Sequence, residues 1–310
     1  SDLAPLLLDC AHWGEGDPTR LRWLDTPPAA ALNEARKTLL GMDALTDSGA
    51  ITPHGQKLAA LPLPPHLAHM VLRAANHGQA ETAAELALLL QERGLGGQGE
   101  DLEGRHERFR RDKGGRTDAA KALARRIGKM AGESGTAAPM SIGALVATAY
   151  PDRIAKRRDA KGENWISALG RGLRLDPLSP LAQAEWLAVA DLQGAASGAR
   201  ILSAAALTEA EVLELFADRL ETKTETRYDA ANDRVEVRQR QRLGAIVLRE
   251  AMVAKPYADA LATLMSDKAV RLRRDFGQLI RAIKSSALLH REHRARERGE
   301  VDLGERLLDQ

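Results

Sequence analysis

A chain of 310 residues has room for two or three domains at ~100–150 residues each. Its 44% apolar and 28% charged residues are those of a globular protein and exclude a disordered or lipid-buried one. Aromatic residues make up only 3%, which favours helices packed through Leu and Ala over an aromatic-rich sandwich, and disfavours strand binding dominated by base stacking. The net charge of +2 hides a segregation: residues 104–130 carry ten Lys or Arg against three acids, residues 268–298 show a similar excess, and residues 1–101 lean acidic. Segregated basic patches point to a polyanion partner; solvated helix faces are the plain alternative.

Cys10 is the one cysteine, so neither an intrachain disulfide nor a cysteine-rich zinc site can form, and a reducing, cytoplasmic setting is expected. No apolar run approaches the ~20 residues of a membrane span, so no membrane partner is expected. Ser1 opens directly onto Asp2-Leu3-Ala4-Pro5-Leu6, as in a chain cut from something longer.

Residues 1–64 read as a helical unit with a small hairpin. Thr26 is placed to cap a helix with Pro27 in its first turn, Leu32, Ala35 and Leu39 recur at helical spacing, and Gly41 stops the run. Ala44–Ile51 predicts two short strands around a turn, and Thr52-Pro53 a second cap and first turn, ending at Leu61-Pro62. Helix, hairpin, helix is the pattern of a winged-helix-like module.

Residues 65–150 read as a helical bundle. Leu67, Met70, Val71 and Ala74 make one apolar stripe, stopped at Gly78; Glu81–Arg93 follows, with Ala84, Ala87 and Leu88 facing a core. After the break at Gly94–Gly99 come two basic helices, Leu102–Lys113 and Thr117–Met130, and a second break at Gly132–Pro139.

From Tyr150-Pro151 the period becomes alternating. Candidate strands are Arg153–Arg157, Asn164–Leu169, Trp186–Leu192, Arg200–Ala204 and Arg234–Leu248, with a helix near Thr208–Leu220 that opens on a Thr208/Glu211 capping box. Five short strands with an inserted helix predict an OB-like antiparallel barrel over 151–255. Residues 256–310 read as a basic helical tail. The fold class expected is α+β, mostly α.

The chain has no G-x-x-x-x-G-K-[ST] phosphate loop and no Asp-Glu-x-His, so it offers no machinery for ATP hydrolysis. Gln241-Arg242-Leu243-Gly244 resembles the start of an arginine-finger motif, but Ala245 stands where arginine is needed and the run is strand-like. His66/His69 and His290/His293 stand three apart, with His77 near the first pair; a zinc site needs more ligands, so surface or capping roles are expected. Cys10, among apolar neighbours, reads as core. No catalytic residue and no metal ligand is assigned.

The positive signal is basic. Strand period puts Arg238, Arg240 and Arg242 on one face and Val235 and Val237 on the other. Same-face residues recur every ~6.6–6.8 Å, near the phosphate spacing of an extended strand. Arg153, Lys156, Arg157 and Arg158 border the first strand, and Arg171 and Arg174 flank a Gly-rich loop. A charged edge strand kept soluble is the alternative for the arginine row.

Several runs resemble, in this order, the region downstream of the motor domains in HrpB-type helicases of the DEAH class. They include Trp23-Leu24-Asp25-x-Pro27-Pro28, Thr52-Pro53-His54-Gly55, His66-Leu67-Ala68-His69-Met70, Tyr150-Pro151-Asp152-Arg153, Trp186–Leu192 and Arg242-Leu243-Gly244-Ala245. The resemblance implies a degenerate winged helix, a ratchet-like bundle and an OB-like barrel. It implies that these guide single-stranded RNA or DNA beside two RecA-like motor domains that bind ATP and magnesium, so ATP and magnesium belong to the full-length parent and no cofactor is assigned to this chain. After about Glu250 the resemblance stops: the family continues with a Leu-Pro-Trp-containing domain, and Arg271-Leu272-Arg273-Arg274-Asp275-Phe276 has no counterpart there. Two functions remain open, a nucleic-acid guide and a protein-interaction scaffold docking on an acidic partner.

Overall fold

The computed structural model describes residues 2–132, 135–194, 198–229 and 234–256, and only the backbone of 226–229, 234–238 and 253–256. The basic tail expected over 256–310, with Arg271, Arg273, Arg274, His290 and His293, lies outside the described residues apart from Pro256. The chain divides into two units, one of residues 1–221 with 241–248, the other of 222–240 with 249–310. The fold is α+β.

In the first unit, α1 (Ala4–His12), α2 (Ala29–Gly41) and α3 (Pro53–Ala60) pack together. Leu32, Ala35 and Leu39 are buried as their spacing predicts. The start of α2 differs from expectation: it begins at Ala29 behind Pro28, and Thr26 caps nothing. The reason is Pro28, whose ring pushes Pro27 out of the helical region, so a Pro-Pro pair starts a helix only after its second member. The Ala44–Ile51 hairpin is minimal, a single bridge between Leu45 and Ile51 closed by Thr46 N–H to Ala50 O at 2.8 Å. Thr52 then caps α3, its Oγ1 accepting from Gly55 N–H at 2.9 Å.

The helical body continues through α4 (Pro65–Ala75), α5 (Ala80–Gln91), α6 (Leu102–Arg111), α7 (Gly115–Ala131) and α8 (Ile142–Ala149). Helix α4 packs on α3, α5, α7 and α8, and Leu67, Met70, Val71 and Ala74 are buried. Two of its basic segment's side chains are structural. Arg105, pushed down from the usual arginine range by burial, donates to the Leu89 and Leu95 carbonyls at 2.9 and 3.3 Å. His106 donates from Nε2 to Glu85 Oε2 at 2.6 Å inside the core. Helix α8 is apolar on nearly every side because it is sandwiched between α4 and the barrel strands. A Cβ on Gly143 would run into the Ala206 carbonyl, so glycine sets that approach.

The barrel is closed by β1 (Ile154–Arg157), β2 (Asn164–Ser167), β3 (Gly172–Arg174), β4 (Trp186–Gln193) and β5 (Ala199–Leu207), in the order β1-β2-β3-β5-β4 with β4 returning to β1. Four pairings are antiparallel and the β3–β5 pairing is parallel. Ala155, Trp165, Leu173, Leu187, Val189 and Ile201 fill the interior. The outward Ile154, Trp186, Ala188 and Ala190 join the core of the helical body instead. Helix α9 (Glu209–Leu215) follows, with the Thr208/Glu211 capping box formed in both directions.

Two strand expectations are corrected. Arg234–Leu248 is not a barrel strand: it is β7 (Arg234–Leu243) turning into β8 (Ile246–Pro256), and with β6 (Leu220–Asp229) it forms a separate sheet of order β6-β7-β8. The fifth barrel strand is β3, in the stretch read as a Gly-rich loop, so α9 follows the barrel rather than interrupting it. Gly244, at φ +55°, makes the β7–β8 turn possible, and Ala245 N–H donates to the Ala168 carbonyl at 2.8 Å, seating the turn on the barrel.

Candidate nucleic-acid interface

Most of the basic residues singled out in the sequence are spent within the protein. Arg153 donates to Ala190 O at 2.7 Å. Lys156 lies 4.9 Å from the Trp186 ring centre, 3.3 Å from Val247 O and 3.7 Å from Glu185. Arg157 reaches the carbonyls of Ala182 and Gln183, each at 3.2 Å. Arg171 is engaged as well, and its N–H donates to Ser167 Oγ at 3.1 Å. These contacts tie β1 and the β2–β3 turn to their surroundings.

The arginine row of β7 is divided. Arg240 pairs with Glu225 on β6 at 3.7 Å and Glu250 on β8 at 3.3 Å, so carboxylates from both flanking strands neutralise it. Arg242 is half-buried, its Nε enclosed without a partner among the described residues. The side chain of Arg238 lies outside the described residues.

Arg174 stands differently. On β3 it is exposed, while its neighbours Leu173 and Leu175 point into the barrel. Its register partners are Asn164 on β2 and Arg200 on β5, and Arg200 in turn pairs with Gln193 on β4. All four are exposed, and the strand period sends each of them outward. Asn164, Arg174, Arg200 and Gln193 thus form one polar row about 14 Å long across four strands, at ~4.8 Å per strand. Arg174 and Arg200 are like charges on adjacent strands, an arrangement that costs stability on its own. Each has its own carboxylate, Glu163 at 3.7 Å for Arg174 and the largely covered Glu100 at 3.5 Å for Arg200. The exposed Arg174–Glu163 pair is worth ~0–1 kcal/mol, so a phosphate can displace that carboxylate at little cost.

Arg200, Asn164 and Gln193 were missed in the sequence as site residues. The alternation Ala199-Arg200-Ile201 was the signal, since it puts one charged residue outward between two that face the core.

No group of three or more His, Cys, Asp or Glu among the described residues is placed to hold a metal ion. His66 accepts from or donates to Tyr150 Oη at 3.2 Å, and burial pushes that phenol up to about 12. These two brace the junction between α8 and the barrel.

No family model matches the chain. ATP-dependent RNA helicase HrpB of Escherichia coli (strain K12) is 33% identical to it over 267 residues, 86% of this chain and 32% of the relative. The crystal structure of E. coli DExH-box NTPase HrpB superposes with a TM-score of 0.70 at 31% identity, over 84% of this chain and 31% of that one. The chain is similar to one region of the HrpB-type helicases. It spans about a third of the length of the HrpB relative it matches. The human protein named probable ATP-dependent RNA helicase DHX35 is 29% identical over 92 residues, 29% of this chain and 13% of the relative. In both HrpB comparisons the likeness runs over more than four-fifths of this chain, so it takes in helical body and barrel together rather than either alone.

Proposed function

We propose that this HrpB-type region binds single-stranded RNA or DNA along the outer face of its barrel and guides it for motor domains elsewhere in the parent helicase. The observation that carries the reading is the Arg174–Arg200 pair, two outward arginines side by side on strands β3 and β5 within a polar row. The barrel order, with its parallel β3–β5 pairing, supports reading it as an OB-type barrel, a fold that presents its β2–β3 face to oligonucleotides. The helix–hairpin–helix of α2 and α3 supports reading the first 64 residues as a degenerate winged helix, and α4 to α8 as the ratchet-like bundle. Contacts of this kind position a backbone without reading its sequence. The sequence carries no phosphate loop, and ATP and magnesium are assigned to the motor domains of the parent helicase.

Replacing Arg174 and Arg200 with Gln together tests the proposal. The slope of log K against log salt for poly-U or oligo-dT should fall by roughly 1.4, about 0.7 for each single-strand phosphate that is no longer neutralised. An unchanged slope overturns the assignment of the face. No binding by the unaltered chain at physiological salt favours the scaffold that docks on an acidic partner.

A further inference from the structure

A second concentration of positive charge lies on other elements of the first unit. A cavity of about 310 Å³ opens between residues 42–43, α3, α4 and the C-terminal end of α7. That is the lower end of the ~300–1,000 Å³ usual for small-ligand pockets. Its polar lining is His54, Lys57, His69, Arg73, Asn76 and a single carboxylate, Asp43.

The sequence builds this lining by helical spacing. The Thr52 cap starts α3 at Pro53, so His54 and Lys57 share one face at i, i+3. On α4, His69, Arg73 and Asn76 follow at i, i+4 and i+7. The two faces meet where His54 Nε2 and His69 Nδ1 share a hydrogen bond of 3.0 Å, with the rings edge to face at 89°. One proton serves that bond, so the imidazoles fix each other's orientation and leave His54 Nδ1 and His69 Nε2 for other partners. Lys57 and Arg73 are exposed and have no hydrogen bond or ion pair with any described residue.

The chemistry selects the ligand. Two imidazoles and Asp43 do not amount to a metal site. An ammonium and a guanidinium that no described residue pairs, facing one cavity with Asp43 as the single carboxylate among its lining residues, ask for an anion. A guanidinium fork, an ammonium and an Asn amide together supply more donors than the two oxygens of a carboxylate accept in one plane, and they match the tetrahedral oxygens of a phosphate.

We propose that this cavity is a phosphate-binding site, held by Lys57 and Arg73 and ordered by the His54–His69 pair, for a free phosphate or the terminal phosphate of a strand. It stands independently of the barrel face. Burial keeps both imidazoles neutral at pH 7, His69 being held down at about 4 by burial first and then by the charges of His54 and Arg73. A bound phosphate favours their protonated forms; among the described residues the facing charges are Asp43, Lys57 and Arg73, with Ala131 at the end of α7 and its cap Gly132 completing the lining.

The test is a titration of the whole chain in phosphate-free buffer, followed through the imidazole resonances of His54 and His69. The probes are inorganic phosphate and one oligo-U made with either a phosphate or a hydroxyl at its 5′ end. Saturable shifts of both imidazoles are expected with a phosphate-bearing probe, weakened about tenfold by Lys57→Gln or Arg73→Gln. Saturation by inorganic phosphate identifies the free ion as sufficient; saturation only by the phosphorylated strand identifies the strand end. Absence of a saturable shift with either, an equal shift with the hydroxyl strand, or a shift that survives both substitutions overturns the proposal.

Discussion

Arg153 donates from Nη1 to the Ala190 carbonyl at 2.7 Å while its guanidinium lies 5.0 Å from the centre of the Tyr150 ring. One side chain thereby joins the turn that ends the helical body to β4 of the barrel. Arg153→Gln is expected to lower stability by about 1 kcal/mol, the value of one charge-assisted bond discounted for its exposure. Single-strand affinity of the folded variant should stay within twofold or so of the parent. Urea unfolding and a binding titration on the same preparation check both halves, and a large drop in affinity at unchanged stability would return Arg153 to the interface.

The Glu85–His106 pair is held inside the helical body at 2.6 Å. Removing one member leaves the other buried without a partner. His106→Ala should destabilise by about 3–5 kcal/mol. His106→Ala with Glu85→Leu should recover a large part of that stability, because no polar group is then left unmatched. Denaturant midpoints of the single and double variants decide it: a single variant within 1 kcal/mol or so of the parent contradicts the pairing.

His69 makes stability depend on pH. Its folded value of about 4 lies below the ordinary 6.5, so the unfolded chain takes up the proton first. The stability tied to the neutral ring is present above about pH 6.5 and is lost as pH falls towards 4. Between pH 7.5 and pH 5 the decrease should be roughly 2 kcal/mol, with His54, shifted the same way, adding to it. His69→Gln should flatten this part of the profile in phosphate-free buffer. A variant whose midpoint falls with pH as steeply as the parent's removes His69 from the account.

ATP turnover is expected to be absent with and without RNA, since the chain has no phosphate loop. Hydrolysis above a mock preparation that follows the protein through repurification would contradict this.

Elements with local chemical signals were legible in the sequence. The Thr52-Pro53 start of α3 and the Thr208/Glu211 box are side-chain-to-backbone bonds a few residues long, and both form as read. Elements defined by their neighbours were not. Strand β3 is three residues beginning at Gly172, too short to show alternation, and it exists because β2 and β5 flank it. Helix α8 has no polar face to mark its period, since neighbours cover it on opposite sides. Arg234–Leu248 looked continuous because its turn, Gly244-Ala245, is stabilised from outside by the Ala168 carbonyl. The same distinction governs the candidate site. Strand period found a row of arginines along one strand, whereas the row Asn164–Arg174–Arg200–Gln193 runs across four, and only register puts those residues side by side.

The closure of the barrel also sets an order of assembly. Its seam joins Ile154 to Ala188, and β3 meets β5 only once the intervening β4 has been laid down, so neither pairing is made by chain neighbours. The helices α4 to α7 close their own bonds within a turn. Loop closure must precede non-local pairing, which slows it relative to local structure. During refolding, amide protection in the helices should therefore come early, with protection at the β1–β4 seam the last to appear. Until the seam closes, the outward Ile154 and Trp186 have no finished surface to offer the helical body, and the hydrophobic contact between barrel and helices must wait for it.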